Sequence, residues 1–118
     1  MGEHAHLLEP GFSVADAEYP SFVLKDGVLV LEFIDWRRHR IRVVFSNAAG
    51  VKWQEIELRG PESRNDRTYE ITDSAWLRSY LDQGARSVAD QLRHFKLCFN
   101  AYGPLEVLAS SFTFEDAG

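Results

Sequence analysis

The run "FVLKDGVLVLEFID", Phe22 to Asp35, constrains this chain more than any other stretch. Asp26-Gly27 joins two apolar segments, and Asp-Gly is a pair that accepts the positive φ angles of a two-residue hairpin turn. The pattern predicts a strand over about Ser21 to Lys25 and a second over Val28 to Asp35. In the second, Leu29, Leu31 and Phe33 share one face. Val28, Val30, Ile34 and Trp36 lie on the other, interrupted by Glu32. Both faces are largely apolar, which points to a central strand. A tight hairpin this early commits the chain to antiparallel pairing.

The following segments extend the pattern. Ile41 to Ser46 alternates Ile41, Val43 and Phe45 against Arg40, Arg42 and Val44, and reads as strand three. Asn47 to Gly50 is a short loop, and Val51 to Leu58 reads as strand four. Arg59 to Glu70 is polar, carries Gly and Pro, and reads as the longest loop. In "TDSAWLRSYLDQG", Trp76, Leu77, Tyr80 and Leu81 recur at helical spacing. Asp73 or Ser74 can cap that helix and Gly84 can end it. Phe95, Leu97 and Phe99 then alternate with His94, Lys96 and Cys98. The last strand runs from Leu105 to Glu115, and its alternation slips at Ser110-Ser111, as at a bulge.

The expected fold is α+β. A four-strand meander, one helix and a C-terminal hairpin make a single six-stranded antiparallel sheet, strongly curved or closed into a half-open barrel. Residues 1–20 read as a loosely ordered lead-in, punctuated by Pro10, Gly11 and Pro20, and residues 21–118 as one globular domain.

Composition narrows the function classes. With 118 residues, 45% hydrophobic, the chain can bury a core, so a disordered reading fails. The net charge of −5 argues against a surface that tracks a phosphate backbone. The one cysteine, Cys98, forms no intrachain disulfide framework and fits a reducing cytoplasm. No secretory signal is evident at the start, and no apolar run is long enough to span a bilayer.

Motifs for chemistry are weak. There is no Gly-rich phosphate loop and no nucleophile elbow. His94 and Cys98 lie four apart on one strand, roughly 13 Å, too far for a nucleophile–base couple. A triad of Asp66, His94 and one of Ser63, Ser74, Ser79 or Ser87 has no supporting motif. His4-Ala5-His6 lacks a third ligand. Glu55 with Glu57, and Glu32 with Asp35, read as solvated carboxylates and not as an acid–base pair. No cofactor or metal is expected.

What remains is "DWRRHRIR", Asp35 to Arg42, a basic run in an acidic chain. Trp36, Arg37, Arg38, Arg40, Arg42, Trp53 and Tyr102 include the residue types enriched at interaction hot spots, and they form the candidate contact surface. The simplest reading of the run is a solvated turn followed by a polar strand stripe. Its arginines would then pair with Glu32, or with Glu55 and Glu57. The expected function is non-enzymatic protein–protein contact, with a protein partner or a second copy of the chain. Binding of a small ligand or single-stranded nucleic acid on a sheet face is the alternative, with nucleic acid disfavoured by charge. A small hydrolase is the third.

The C-terminal layout, "SAWLRSYLDQG" followed by "HFKLCFNAYGPLEVLA", resembles that of small bacterial proteins of unassigned function, and "VLVLEFIDW" is similar to their openings. The resemblance covers Val28 to Ser110. Some of those families are immunity-like partners encoded with toxins, so it implies a bacterial binding protein and brings no catalytic residues.

Overall fold

The computed structural model describes residues 3–53, 67–83, 92–99 and 103–118. The hairpin forms as expected. β2 (Glu18–Lys25) pairs with β3 (Val28–Ile34), and the turn residues Asp26 and Gly27 both take positive φ, 53° and 76°. β4 (Arg40–Ser46) pairs with the other side of β3. Leu29, Leu31 and Phe33 of β3 and Ile41, Val43 and Phe45 of β4 are buried on the inner face.

The architecture departs from one six-stranded sheet or half-open barrel. There are two antiparallel sheets. One has four strands in the order β2-β3-β4-β9, with β9 at Ser111–Asp116. The other has five in the order β1-β6-β7-β8-β5. Its strands are β1 (His4–Leu8), β5 (Gly50–Trp53), β6 (Thr68–Thr72), β7 (Arg93–Phe99) and β8 (Gly103–Ala109). Two local features explain the split. The segment after β4 crosses between the sheets: Ala48 N–H donates to the Gly27 carbonyl at 2.7 Å, and Ala49 N–H to the Leu108 carbonyl at 2.7 Å. β5 therefore pairs with β8 and not with its sequence neighbour β4. The slip at Ser110 is likewise a change of sheet and not a bulge. β8 lies in the five-stranded sheet, and β9 pairs with β4 in the other.

The lead-in is part of the fold: residues 4–8 form β1 on the edge of the larger sheet, and β2 starts at Glu18. Thr68–Thr72, in the segment read as loop and helix approach, is a strand. Residues 54–58 of the expected strand four lie outside the described residues.

The two sheets bury a shared aromatic core. Phe33 meets Phe99 edge-on at 5.4 Å between ring centroids, and Phe45 meets Phe95 at 5.9 Å. Phe112 of β9 contacts both Phe45 and Phe95. Offset and edge-on ring pairs add to the area term that drives such packing. Opposite the core, the outer face of the four-stranded sheet carries Val23, Val30 and Val44 in one transverse row and Ser21, Glu32, Arg42 and Glu115 in the next.

The helix is α1 (Ala75–Asp82), capped by the Ser74 side chain. Its half-buried residues are the expected Trp76, Leu77, Tyr80 and Leu81. Trp76 lies against Gly50, where an added Cβ would stand 3.0 Å from Cζ2.

Candidate interaction surface at the β3–β4 turn

Asp35 organises the turn from inside it. The residue is buried, 1% exposed, at the end of β3. Its Oδ1 accepts from the backbone N–H of Arg37 and of His39, both at 2.9 Å. Its own N–H donates to the His39 carbonyl, and its carbonyl accepts from Arg38 N–H, both at 2.8 Å. An aspartate that bonds the amide two residues on is the standard way this side chain replaces a backbone turn contact. Arg38 takes φ 69°, a conformation in which non-glycine residues are uncommon.

Arg37 closes the arrangement. Its Nε and Nη2 donate to Asp35 Oδ2 at 3.0 and 2.7 Å, and Nη2 also reaches Asp116 Oδ2 at 2.7 Å. His39 Nδ1 lies 3.1 Å from Asp116 Oδ1. The C-terminal strand thus clamps the turn, helped by Ala117 N–H donating to the Arg40 carbonyl. Burial by itself would raise the Asp35 carboxyl, but bonds from His39 and Arg37 and the guanidinium charge outweigh it and hold it below the ordinary range. Asp116 is also lowered, first by the Gly118 N–H, then by His39 and Arg37.

Asp35, His39 and Asp116 come close enough to suggest a metal site. The chemistry fits a different cation. Arg37 Nη2 already bonds Oδ2 of both carboxylates, so the guanidinium supplies their counter-charge.

The other expected contact residues separate. Trp36 stands at the tip of the turn, 61% exposed. Arg38 leans toward Glu18 at 3.3 Å. Arg40 and Arg42 are exposed on the outer face, and Arg42 sits directly between Glu32 and Glu115 on the flanking strands. The expected placement beside Glu32 therefore holds; Glu55 and Glu57 lie outside the described residues. Trp53 does not join the surface. It packs inward against Phe22 at 5.8 Å and Phe99 at 6.0 Å. Tyr102 lies outside the described residues.

Beside Trp36 opens a cleft of about 410 Å³ between the end of β1, the 9–14 segment and the turn. Leu7, Leu8, Phe12, Val14 and Trp36 supply its apolar walls. Glu9, Asp35, Arg37 and Arg67 supply its charges. Gly11 makes the approach possible: φ is +97°, and a Cβ would lie 2.7 Å from Phe114 Cε1. No local pattern in the chain announces this cleft, because its walls meet only when the two sheets pack. On the outer face, Tyr19 is 73% exposed with φ 55° and borders a hollow of about 330 Å³ with Ile34 and Arg40.

A second polar cluster lies under α1. Ser74 Oγ and His94 Nδ1 are 2.7 Å apart, and His94 Nε2 is 2.7 Å from Glu106 Oε1. The structure brings Ser74 beside His94, a pairing given no weight in the sequence, and Glu106 takes the other ring nitrogen; Asp66 lies outside the described residues. Ser74 is 5% exposed, and its hydroxyl accepts the capping bond from Leu77 N–H at 3.0 Å. The cluster ties the helix start to the sheet. Burial pushes Glu106 up, yet the His94 bond and the charges of His94, Lys96 and Lys52 leave it net lowered. His94 spends both ring nitrogens here and neither on Cys98, which is buried beside Tyr69 and Ile71.

Among the described residues, no helix is long and apolar enough to cross a membrane. Comparison with protein-family models, with curated proteins and with solved structures returned no match to this chain.

Proposed function

We propose that the protein is a non-enzymatic binding module, immunity-like or an adaptor, that works in a bacterial cytoplasm by contact with another protein. Its contact surface is the end of the sandwich around the β3–β4 turn. One observation carries this reading: Trp36 is 61% exposed on a turn bonded from within by buried Asp35 and tied to the last strand by the Arg37–Asp116 pair. A large side chain that is ordered before it binds loses little entropy on binding, which is how an exposed aromatic becomes a hot spot. Arg38 and Arg40 flank it as polar rim.

The cleft beside Trp36 favours a second reading as a small-ligand site, since about 410 Å³ falls within the usual range for such pockets. Nucleic acid is the weaker partner, because Arg37, Arg38 and Arg42 each face carboxylates of the same chain.

Affinity capture with the intact protein and with Trp36→Ala tests the proposal. A protein retained by the first, lost by the second, and binding the purified chain in calorimetry supports it. Equal retention by both baits would remove the turn from the interface.

A further inference from the structure

β2 closes one side of the four-stranded sheet, and among the described residues no strand pairs with its outer side. Free N–H and C=O groups at such an edge invite another strand, so edges are ordinarily kept short or charged. The other three edge strands are of that kind. β5 has four residues and β1 five, and β9 ends in Glu115 and Asp116. β2 has eight, and its segment from Ser21 to Lys25 carries one charge, at the end. Val23 is 65% exposed on the outer face, and Leu24 is 41% exposed on the inner one.

The hairpin decides which backbone groups are free. A two-residue turn closes on a bonded pair, here Lys25 with Val28, and bonded pairs alternate along the ladder. Ser21, Val23 and Lys25 therefore turn their N–H and C=O groups to β3, and Phe22 and Leu24 turn theirs outward. Laid antiparallel about Val23, two copies bring Phe22 of each opposite Leu24 of the other, so the free groups bond one another. Pro20, which has no N–H, and the Asp26 turn stop the ladder at its two ends. Val23 meets Val23 on the two-fold axis, and the row Val44, Val30, Val23 runs on into its copy. In the next row Glu115 and Glu32 flank Arg42, two carboxylates to one cation. Ser21 follows, and Lys25 of the second copy comes beside it, on the Glu32 side. Lys25 makes no ion pair among the described residues, so the second copy supplies the cation that this row lacks. Nowhere from Ser21 to Lys25 do like charges face each other.

We propose that β2 pairs with β2 of a second copy of this chain, antiparallel about Val23, and so continues one four-stranded sheet into the other. A symmetric contact makes each of these interactions twice. It does not use the Trp36 turn and stands without the reading given above. About five residues a side fall well short of the ~20–30 of a standard interface, so the dimer is weak, with a dissociation constant on the order of 100 μM.

Sedimentation equilibrium of the full chain and of three variants tests this. The expected result is mostly dimer at about 1 mM and mostly monomer at about 20 μM. Val23→Glu sets two carboxylates opposite each other and weakens the dimer about tenfold, with circular dichroism unchanged. Val23→Cys oxidises to a covalent dimer, because the ~4.5 Å between Cα atoms of a non-bonded pair suits a disulfide. Cys98 is buried and does not compete. Ser21→Cys, about 13 Å from its own copy in this register, does not oxidise in this way. In amide exchange, Phe22 and Leu24 slow as concentration rises and Val23 does not. A monomer at 1 mM, a dimer untouched by Val23→Glu, or equal oxidation of the two cysteine variants overturns the proposal. Protection of Phe22 and Leu24 by a captured foreign protein, with the chain alone monomeric, also overturns it and assigns the edge to that protein.

Discussion

Arg37 bonds Asp35, two residues before it, and through the same Nη2 reaches Asp116, 79 positions later. One side chain thus joins a local turn to the last strand. The turn that carries Trp36 is shaped by Asp35 and held in place by the C-terminus.

Asp35 should be the most sensitive polar position of this end. Asp35→Ala leaves the part-buried Arg37 and His39 amides without their acceptor; a donor orphaned away from water costs about 1–3 kcal/mol, and these two belong at the low end. The expected loss is about 3 kcal/mol in urea unfolding. Asp35→Asn keeps the amide oxygen and loses the guanidinium bonds, so it should cost roughly half as much. Equal costs for the two variants would place the stabilisation in the ion pair alone.

Acid should unfold the protein through its paired carboxylates. Asp35, Glu70, Glu106 and Asp116 are all lowered in the folded state, Glu70 first by its bonds from Arg93. A carboxyl lowered on folding adds stability that is present above its unfolded value, near pH 4, and is lost as pH falls through its folded value. Unfolding free energy should therefore decline below about pH 4. The double variant Asp35→Asn, Asp116→Asn should show a shallower decline in a pH series of denaturant titrations.

Two glycines with positive φ should answer differently to alanine. At Gly27 nothing lies near an added Cβ, so Gly27→Ala meets only backbone strain, about 1 kcal/mol. At Gly11 the methyl also meets the Phe114 ring at 2.7 Å. Gly11→Ala should cost about 2 kcal/mol and shift the amide resonances around the cleft. Thermal unfolding of the pair decides this, and equal costs would mean that Phe114 moves aside freely.

Ser74 and His94 should be energetically coupled. Ser74→Ala removes the helix cap, worth about 1 kcal/mol, and also a buried partner of His94. A double-mutant cycle with His94→Phe should give a coupling of about 1 kcal/mol or more. A coupling of zero would reduce Ser74 to a cap alone. Cys98 should resist thiol reagents in the native state, since it is fully buried, and react once urea unfolds the chain.

The sequence by itself determined the local pieces. Asp26-Gly27 dictated its hairpin because few residue pairs accept two positive φ angles. Alternation in β3, β4 and β7 fixed which side chains turn inward, because a strand offers only two faces. Ser74 and the 3.6-residue spacing placed the helix. The Asp35 turn was legible in outline as a polar tip, but as a solvated one; its arginines instead meet Asp35, Asp116 and Glu18. What only the tertiary structure decided was which strands share a sheet. β4 and β5 are separated by three residues yet lie in different layers, and β8 and β9 are separated by Ser110 alone. Two short links look the same in sequence whether they turn the chain back or carry it across, since the choice rests on long-range bonds such as Ala49 to Leu108. For the same reason Trp53 went to the core, Asp116 came to Arg37, and the cleft arose where two sheet ends meet. Each is a meeting of residues far apart in the chain, and sequence periodicity reports only on residues that are near.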